Sequence, residues 1–418
     1  MTKADERARF NTEIAPALAA QLGTTEAAAF KGSSRFAYFE DADRLVIVAG
    51  AQEGTDIQLA LALGLTYRGD KKLALVLPRG HTCATQQRAP WLRVDAQPEL
   101  HVHDGIAGSV EPLAMLSQPE TIEALAVPRK GVGPADELRK ASIPLHLDTR
   151  SANVDELVEW ATVAKDLDPG HRRSERSWHY RGQRVLSIAR TSDGLEIRAG
   201  IHTTGDPDLS TRVALKSEEV LSATDLDRLQ GAVGEGIAAR ENERPGGYGK
   251  PDEHWLQAVI RAEPSLVGVE QPALREVPAW RPADGVGDKA KAWGRGFIDL
   301  VGVDGHGNIR VVETKLAANK DDLLIFQGLD YFVWAQAYKD TLRERLGVGP
   351  KSRIVLHYVI GTSPGTSGTE SKLLSTHAAA QTRALDPVIE WRFQVIDNWY
   401  AGGDRPTANC FPPRTLPS

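Results

Sequence analysis

Residues 295–317, RGFIDLVGVDGHGNIRVVETKLA, form two apolar runs on either side of a turn-forming segment, DGHGN. Successive side chains of a strand point to opposite faces, so Asp299 shares a face with Val301, and Glu313 shares one with Lys315. The remaining positions of both runs are also apolar, which predicts a β-hairpin that is buried on both sides. Charged side chains in such a place are costly unless they are paired, hydrogen-bonded or bound to a metal.

Two carboxylates and a lysine that meet at one place suit a divalent cation. Mg²⁺ prefers oxygen ligands and is often held by one or two carboxylates together with waters and substrate phosphates. A neighbouring ammonium group can orient an attacking water or stabilise a transition state. The structural alternative is a buried salt bridge from Lys315 to Glu313 or Asp299. Because buried ion pairs add little stability, metal chemistry is the favoured interpretation.

The pattern that begins at Asp299 and ends in Glu313-Thr-Lys315 resembles that of the PD-(D/E)XK, or restriction-endonuclease-like, nuclease superfamily. Ile298 stands where the motif has its proline. The resemblance covers about residues 252–396. It implies an αβββαβ core, binding of Mg²⁺ (or Mn²⁺) by Asp299 and Glu313, activation of water by Lys315, and hydrolysis of phosphodiester bonds, most readily those of DNA.

The resemblance also implies an acidic residue on the helix before the hairpin. The segment DEHWLQAVIRAEP, residues 252–264, predicts this helix and places Glu253 on the same face as Leu256 and Ile260. Glu263 is the alternative, although an acid is less favoured at a helix C-terminus. Glu253 is therefore expected to complete or support the metal shell.

A further helix is predicted after the hairpin, over about residues 320–338. Gln327 and Tyr331 are four residues apart and so lie together on its surface. A glutamine and an aromatic residue occupy similar places in several nuclease families of this type, which implies that Gln327 positions the site and Tyr331 contacts substrate. Packing roles are the alternative. Arg295, just before the hairpin, is expected to contact either phosphate or solvent.

The first half of the chain has a different pattern. RLVIVAG (44–50), TDIQLALALGL (55–65, with Thr55 as N-cap) and KLALVLP (72–78) predict a β-α-β unit and therefore a parallel sheet. RVLSIAR and LEIRAGIHT, joined by TSDG, predict a β-hairpin. The other expected elements are helices near 11–22, 225–240 and 371–385, strands at 143–149, 353–361 and 390–396, and a loop-rich stretch from 265 to 291.

The fold class expected is α/β: an N-terminal Rossmann-like region followed by a restriction-endonuclease-like αβββαβ core. ENERPGGYGKP, residues 241–251, is the predicted linker because it is polar and rich in Gly and Pro. The predicted domains are a sensor or specificity domain (1–170), a hairpin-plus-helix extension of it (171–245) and a nuclease domain (252–418).

Two other stretches are weaker candidates. GAQEGTD, residues 50–56, follows a strand and precedes a helix, where backbone N–H groups can hold an anion. It lacks the spacing of the known phosphate-binding motifs. HVH, residues 101–103, puts two imidazoles on one strand face, but no third metal ligand is evident.

Charge and composition limit the partners. Residues 250–418 hold equal numbers of basic and acidic side chains, so the net charge of −6 comes from the first 249 residues. A nucleic acid must then be held by a local patch, by metal or by a second subunit, and a homodimer is compatible with this. The two cysteines, the 41% hydrophobic content and the lack of a long apolar run predict a cytoplasmic protein without membrane contact.

A binding module that has kept a nuclease fold without cleaving is the competing function. The balanced charge of residues 250–418 favours it, whereas the intact carboxylates and lysine favour catalysis. The ligand or protein partner of the N-terminal region is not indicated by any motif.

Overall fold

The computed structural model of the chain describes residues 2–29, 32–105, 108–126, 154–165, 167–172, 175–201, 210–216, 219–241, 251–282, 293–317, 322–362, 374–400 and 406–411. These residues form helices and three β-sheets, so the chain is of mixed α/β class. No helix among them is both long and apolar enough to cross a lipid bilayer. The strand predicted at 143–149 and most of the predicted linker lie outside the described residues.

The chain folds as two compact units. The first consists of Met1–Gly131, Val269–Ile396 and Ala408–Ser418, and the second of Val132–Gly268 and Asp397–Thr407. The predicted sensor domain and the predicted nuclease domain therefore both contribute to the first unit. The helix that carries Glu253 belongs to the second unit, so this grouping crosses the predicted domain bounds.

The first sheet lies in the first unit, and its strands follow chain order: β1 (Ala37–Glu40), β2 (Arg44–Val48), β3 (Lys72–Pro78), β4 (Glu99–His103) and β5 (Glu111–Pro112). β2, β3 and β4 are parallel, and β1 and β5 pair antiparallel at the two edges. β2 and β3 are buried nearly throughout, as expected for apolar strands covered on both faces. The predicted β-α-β unit is confirmed.

The helices of this region differ in their bounds from those predicted. The N-terminal segment is helical over α1 (Lys3–Arg9), a π-helical turn (Phe10–Ile14) and α2 (Ala15–Ala20). After β2, a 3₁₀ segment (Ala51–Gln58) precedes α3 (Leu59–Tyr67). Gly54 divides the 3₁₀ segment, because its φ of 55° and ψ of −125° are non-helical, and the helical path resumes at Thr55, the predicted start. The side chain of Thr55 lies outside the described part of the structure, so its capping role stays a prediction.

The remaining helical segments before residue 130 are α4 (Cys83–Arg88), the 3₁₀ turns Ala89–Trp91 and Val94–Ala96, and α5 (Gln118–Ala126).

The second sheet lies in the second unit. It contains β6 (Asp168–Arg172), β7 (Glu175–Tyr180), β8 (Gln183–Arg190), β9 (Gly194–Gly200) and β10 (Ser210–Lys216), each antiparallel to the next. The helical segments of this unit are α6 (Val154–Glu159), a π-helical turn (Trp160–Ala164), α7 (Ala223–Glu241), α8 (Glu253–Ala262) and a 3₁₀ turn (Pro264–Val267). The β8–β9 pair confirms the predicted hairpin. Trp178, Leu186 and Leu229 belong to one buried cluster that joins the sheet to α7.

The third sheet carries the residues of the predicted site. Its strands again follow chain order: β11 (Glu270–Pro282), β12 (Trp293–Val303), β13 (Ile309–Leu316), β14 (Ile354–Gly361), β15 (Trp391–Asp397) and β16 (Thr407–Phe411). β11, β12 and β13 are antiparallel neighbours, and β13, β14 and β15 are parallel. The loop predicted up to residue 291 is wrong where β11 lies. This strand contains three prolines, which an edge strand tolerates because it needs fewer donors for the ladder.

Helices pack on this sheet. They are α9 (Leu324–Ala337), α10 (Lys339–Leu346) and α11 (Thr376–Ala384). α9 is buried along most of its length, and Gly328 lets it approach β14, because a Cβ at that position would overlap the ring of Tyr358. The Tyr358 hydroxyl donates a hydrogen bond of 2.7 Å to the carbonyl oxygen of Ile325. α9 is thereby fixed over the parallel part of the sheet.

The N-terminal segments of the first unit contact α9 directly. Arg88, at the end of α4, forms a two-pronged ion pair with Asp330, with distances of 2.9 and 2.7 Å, and both side chains are buried. The ring of Trp91 meets that of Phe332 edge to face, with centroids 5.7 Å apart. These contacts join residues of the predicted sensor domain to residues of the predicted nuclease domain within the first unit.

β14 buries a histidine whose titration should affect stability. Burial, reinforced by the charges of Arg310 and Arg392, lowers the pKa of His357 from its ordinary value of 6.5 to about 3. Below pH 6.5, His357 of the unfolded chain therefore binds a proton, whereas His357 of the folded chain stays neutral down to about pH 3. Stability contributed by neutral His357 is complete above pH 6.5 and falls by about 1.4 kcal/mol per pH unit through that window.

We expect the wild-type protein to lose about 2 kcal/mol more unfolding free energy than His357→Asn between pH 7.5 and pH 5.0. Urea titrations of both proteins at the two pH values measure the difference. Equal losses would show that His357 does not carry this pH dependence.

Candidate active site

The predicted hairpin is present and carries its charged residues as the alternation required. Val301 lies opposite Val311, and Leu300 lies opposite Val312. Asp299 and Glu313 lie one position beyond the last pair, Leu300 and Val312, on neighbouring strands. By alternation they lie on the face that Val301 and Val311 share. The two carboxylates therefore start from adjacent backbone positions where β12 and β13 begin to separate.

Asp299 is fixed by the strand opposite it. Its Oδ2 accepts a hydrogen bond of 2.8 Å from the backbone N–H of Thr314 and one of 2.6 Å from the Thr314 hydroxyl. The carboxylate thus accepts the backbone N–H of Thr314, which lies beyond the paired part of β12 and β13. Hydrogen bonds to a charged acceptor are the strong ones, so the side chain of Asp299 is held in one place.

Glu313 and Lys315 point the same way along β13, as predicted. The Lys315 ammonium lies 3.4 Å from Glu313 Oε1, and their side chains are 15% and 4% exposed. The ion pair anticipated as the structural alternative is therefore present. Its separation is longer than the 2.7–2.9 Å of a strong charge-assisted hydrogen bond, so the two groups are close without being locked together.

Tyr331, on α9, packs against the strand that carries Asp299. Burial raises the pKa of its hydroxyl well above the ordinary value, and the charges of Glu313 and Asp299 raise it further, while Arg281 lowers it. The phenol therefore stays protonated at neutral pH. It also packs against β12 at Gly296, where a Cβ would lie 2.6 Å from the hydroxyl oxygen. The ring needs the glycine there.

The other predicted residues are placed less closely. Gln327 lies on α9 one turn before Tyr331 and is half-buried, whereas Tyr331 is buried. The backbone of Arg295 pairs with Trp280 of β11. The side chain of Arg295 lies outside the described part of the structure, so its predicted contact with phosphate stays a prediction.

Glu253 begins α8 and is half-buried, while Leu256 and Ile260 of the same helix are buried. Asp252 caps this helix by accepting a hydrogen bond of 2.9 Å from the backbone N–H of Trp255. Glu263, the alternative acid, is exposed at the C-cap. Glu253 lies in the second unit, whereas Asp299 and Glu313 lie in the first.

The donor set suits a hard cation that keeps most of its water. Among the described residues, no three His, Cys, Asp or Glu side chains are grouped as a metal site. Asp299 and Glu313 supply two carboxylates on neighbouring strands, which matches the one or two protein carboxylates that usually hold Mg²⁺ beside substrate phosphates. The residues present therefore fit Mg²⁺ better than a metal that requires a complete cage of protein ligands.

Sequence reasoning missed two residues of this neighbourhood. Thr314 occupies the variable position of the Glu-x-Lys motif, and its hydroxyl beside a carboxylate-rich strand was the available signal. Arg281 lies on β11, which was predicted to be a loop, and its side chain is half-buried near Tyr331 and Asp330. No local pattern marks Arg281, because its position follows from the pairing of β11 with β12.

The weaker candidates have structural partners. In the 50–56 segment, Glu53 is buried and forms an ion pair with Arg7 at 2.5 Å. His103 is buried beside Phe10, and its Nε2 lies 2.8 Å from the carbonyl oxygen of Ala49. Burial lowers the pKa of His103 and of His101. These contacts give Glu53 and His103 structural partners within the described residues.

The arrangement can hold a divalent cation and present a lysine and a phenol to an anionic substrate. The two carboxylates would bind the cation, the Lys315 ammonium lies beside Glu313, and the Tyr331 hydroxyl lies against Gly296 of the strand that carries Asp299. Comparisons of the chain with protein-family models, curated proteins and solved structures find no match.

Proposed function

We propose that the protein is a Mg²⁺-dependent nuclease, with Mn²⁺ as an alternative ion, that hydrolyses phosphodiester bonds and acts on DNA. The observation that supports this most is the placement of Asp299 and Glu313 at adjacent positions of neighbouring strands, with the Lys315 ammonium 3.4 Å from Glu313. Stability alone does not explain why these charges lie together, because buried ion pairs add little to the free energy of unfolding.

The order of elements supports a restriction-endonuclease-like core. After α8 come three antiparallel strands, β11 to β13, then α9 and the parallel strands β14 and β15. This is the αβββαβ order implied by the resemblance to the PD-(D/E)XK superfamily. We assign the parallel strands β2 to β4 to a Rossmann-like region, which would serve as a sensor or specificity module.

Each residue has a role in this proposal. Asp299 and Glu313 would hold the cation, which when bound acidifies water and neutralises phosphate charge. Lys315 would orient the attacking water and stabilise negative charge as it develops. Tyr331 would donate a hydrogen bond to the scissile phosphate, and Gln327, one turn earlier on α9, would support its position. Arg295 would contact the substrate backbone, and the supporting role expected of Glu253, which lies in the second unit, stays a prediction.

The test is a plasmid-cleavage assay with the full chain in Mg²⁺, in Mn²⁺ and in EDTA. We expect cleavage with either ion and none in EDTA. Lys315→Ala should lower the rate by about 10²–10³-fold, the loss typical when one charge-stabilising group is removed. Equal cleavage by Lys315→Ala and the parent would remove this mechanism, and RNA cleavage without DNA cleavage would change the substrate.

A non-cleaving binding module is the second candidate. The 3.4 Å contact between Lys315 and Glu313 favours it, since these residues can satisfy each other without a metal. Nucleic-acid binding without cleavage under Mg²⁺ or Mn²⁺ would support this function. A cytoplasmic location, a homodimer and a ligand for the N-terminal region all stay proposals that the same preparations can address.

A further inference from the structure

A cavity of about 320 Å³ lies in the first unit, apart from the carboxylates. Its walls come from three distant parts of the chain: the end of α3, the turn at residues 93–96 and the end of α11. The charged residues that line it are Arg68, Asp70, Arg93, Asp95 and Arg383. Three arginines and two aspartates therefore line one concave surface.

The contacts of these residues leave the cavity cationic. The Arg93 guanidinium pairs with the Asp95 carboxylate at 3.1 Å. Arg68 donates instead to uncharged acceptors, the backbone carbonyl oxygens of Asp95 and Lys71. Arg383 is exposed and makes no hydrogen bond or ion pair with another described residue. With Asp70 as the remaining carboxylate, the lining carries three positive and two negative charges.

Helix ends explain only part of this arrangement. Arg68 is the C-cap residue of α3, and Arg383 lies in the last turn of α11, where cations are favoured by the helix dipole. Arg93 precedes a short 3₁₀ turn and has no such reason to be there. Its backbone N–H donates to the carbonyl oxygen of Ala384, which fixes it beside the end of α11.

We propose that this cavity binds a phosphate group, supplied by the backbone of the nucleic-acid strand on which the protein acts. Guanidinium groups bind phosphate with two parallel hydrogen bonds, and the volume lies at the lower end of the range for small-molecule sites. A local cationic patch is one of the ways in which a chain with a net charge of −6 can hold nucleic acid. The identity of the strand as substrate rests on the proposed nuclease function, and a free nucleotide is the other source of the same chemistry.

The experiment measures binding separately from cleavage. It uses the full chain with Asp299→Asn, in EDTA, and a fluorescent DNA duplex over a series of salt concentrations. Adding Arg68→Ala and Arg383→Ala should weaken binding at least tenfold and reduce the salt slope by one to two, as expected for one or two lost phosphate contacts. The matched control adds Arg9→Ala and Arg228→Ala, two exposed arginines outside the cavity, and should bind like the parent.

A second arm separates the two sources of phosphate. If the DNA affinity is unchanged but AMP raises the melting temperature of the parent and not of the cavity variant, a free nucleotide is the ligand and the phosphate site stands. If neither DNA nor AMP distinguishes the two proteins, the proposal is overturned, and a lower melting temperature alone would assign Arg68 and Arg383 to the helix ends. If the parent protein never cleaves DNA but the cavity variant still loses DNA binding, the nuclease proposal is refuted and the phosphate site stands.

Discussion

Replacing Asp299 with asparagine should lower phosphodiester cleavage by about 10³-fold or more while leaving the fold intact. A bound metal stabilises transition-state charge by several kcal/mol, and about 4 kcal/mol corresponds to three orders of magnitude in rate. The amide oxygen of asparagine can still accept the hydrogen bonds from the Thr314 backbone and hydroxyl that Asp299 accepts now. What the variant loses is the negative charge.

Three measurements separate charge from structure in this prediction. Isothermal titration with Mg²⁺ should show weakened binding in Asp299→Asn, while its melting temperature stays near that of the wild type. Asp299→Ala also removes the acceptor for Thr314, so it should be less stable by about 1–3 kcal/mol. Asp340→Asn is the matched control, since that carboxylate is 95% exposed. Undiminished cleavage by Asp299→Asn would exclude this carboxylate from the reaction.

The parts of the site that could be predicted are those set by local alternation. The two runs of the hairpin place Asp299, Glu313 and Lys315 by period two alone, and the observed pairing of Val301 with Val311 agrees. Tyr331 could be placed on α9 but not beside the carboxylates. Its depth depends on the close approach at Gly296, which is a tertiary contact.

The parts that could not be predicted depend on contacts between distant segments. β11 is unrecognisable as a strand because its prolines carry the signal of a loop, and only its neighbour β12 makes it an edge strand. Similarly, no sequence pattern announces that Arg88 meets Asp330, 242 positions further along the chain. The predicted bounds followed linker composition, whereas the compact units follow such contacts.

Removing Arg88 should strongly destabilise the first unit. Arg88→Met removes the ion-pair partner of Asp330 and leaves the buried carboxylate with the charge of Arg281 but no ion pair to Arg88, and breaking a buried pair typically costs about 3–5 kcal/mol. The double variant Arg88→Met with Asp330→Asn removes the buried charge as well, so it should regain most of the loss. Urea unfolding of the three proteins at one pH measures both effects.

The pH dependence of Arg88→Met tests the cause. Burial already raises the pKa of Asp330, and Arg88 is the main group that opposes this. Without Arg88 the folded-state pKa rises further, so the protonated carboxyl is favoured in the folded protein and stability is lost as the pH rises through that pKa. The deficit of Arg88→Met should therefore be larger at pH 8 than at pH 5.5, and the double variant should show no such difference.

A stability deficit of Arg88→Met that is equal at both pH values would mean that Arg88 acts through its packing and not through its charge. Its guanidinium carbon lies 5.3 Å from the ring centroid of Phe326. The distinction matters for the site, because Asp330 precedes Tyr331 on α9. If the ion pair sets the position of α9, the double variant should fold with α9 less firmly positioned. It should then cleave more slowly than its stability predicts. Rates that follow stability alone across the three proteins would show that the N-terminal segment does not position Tyr331.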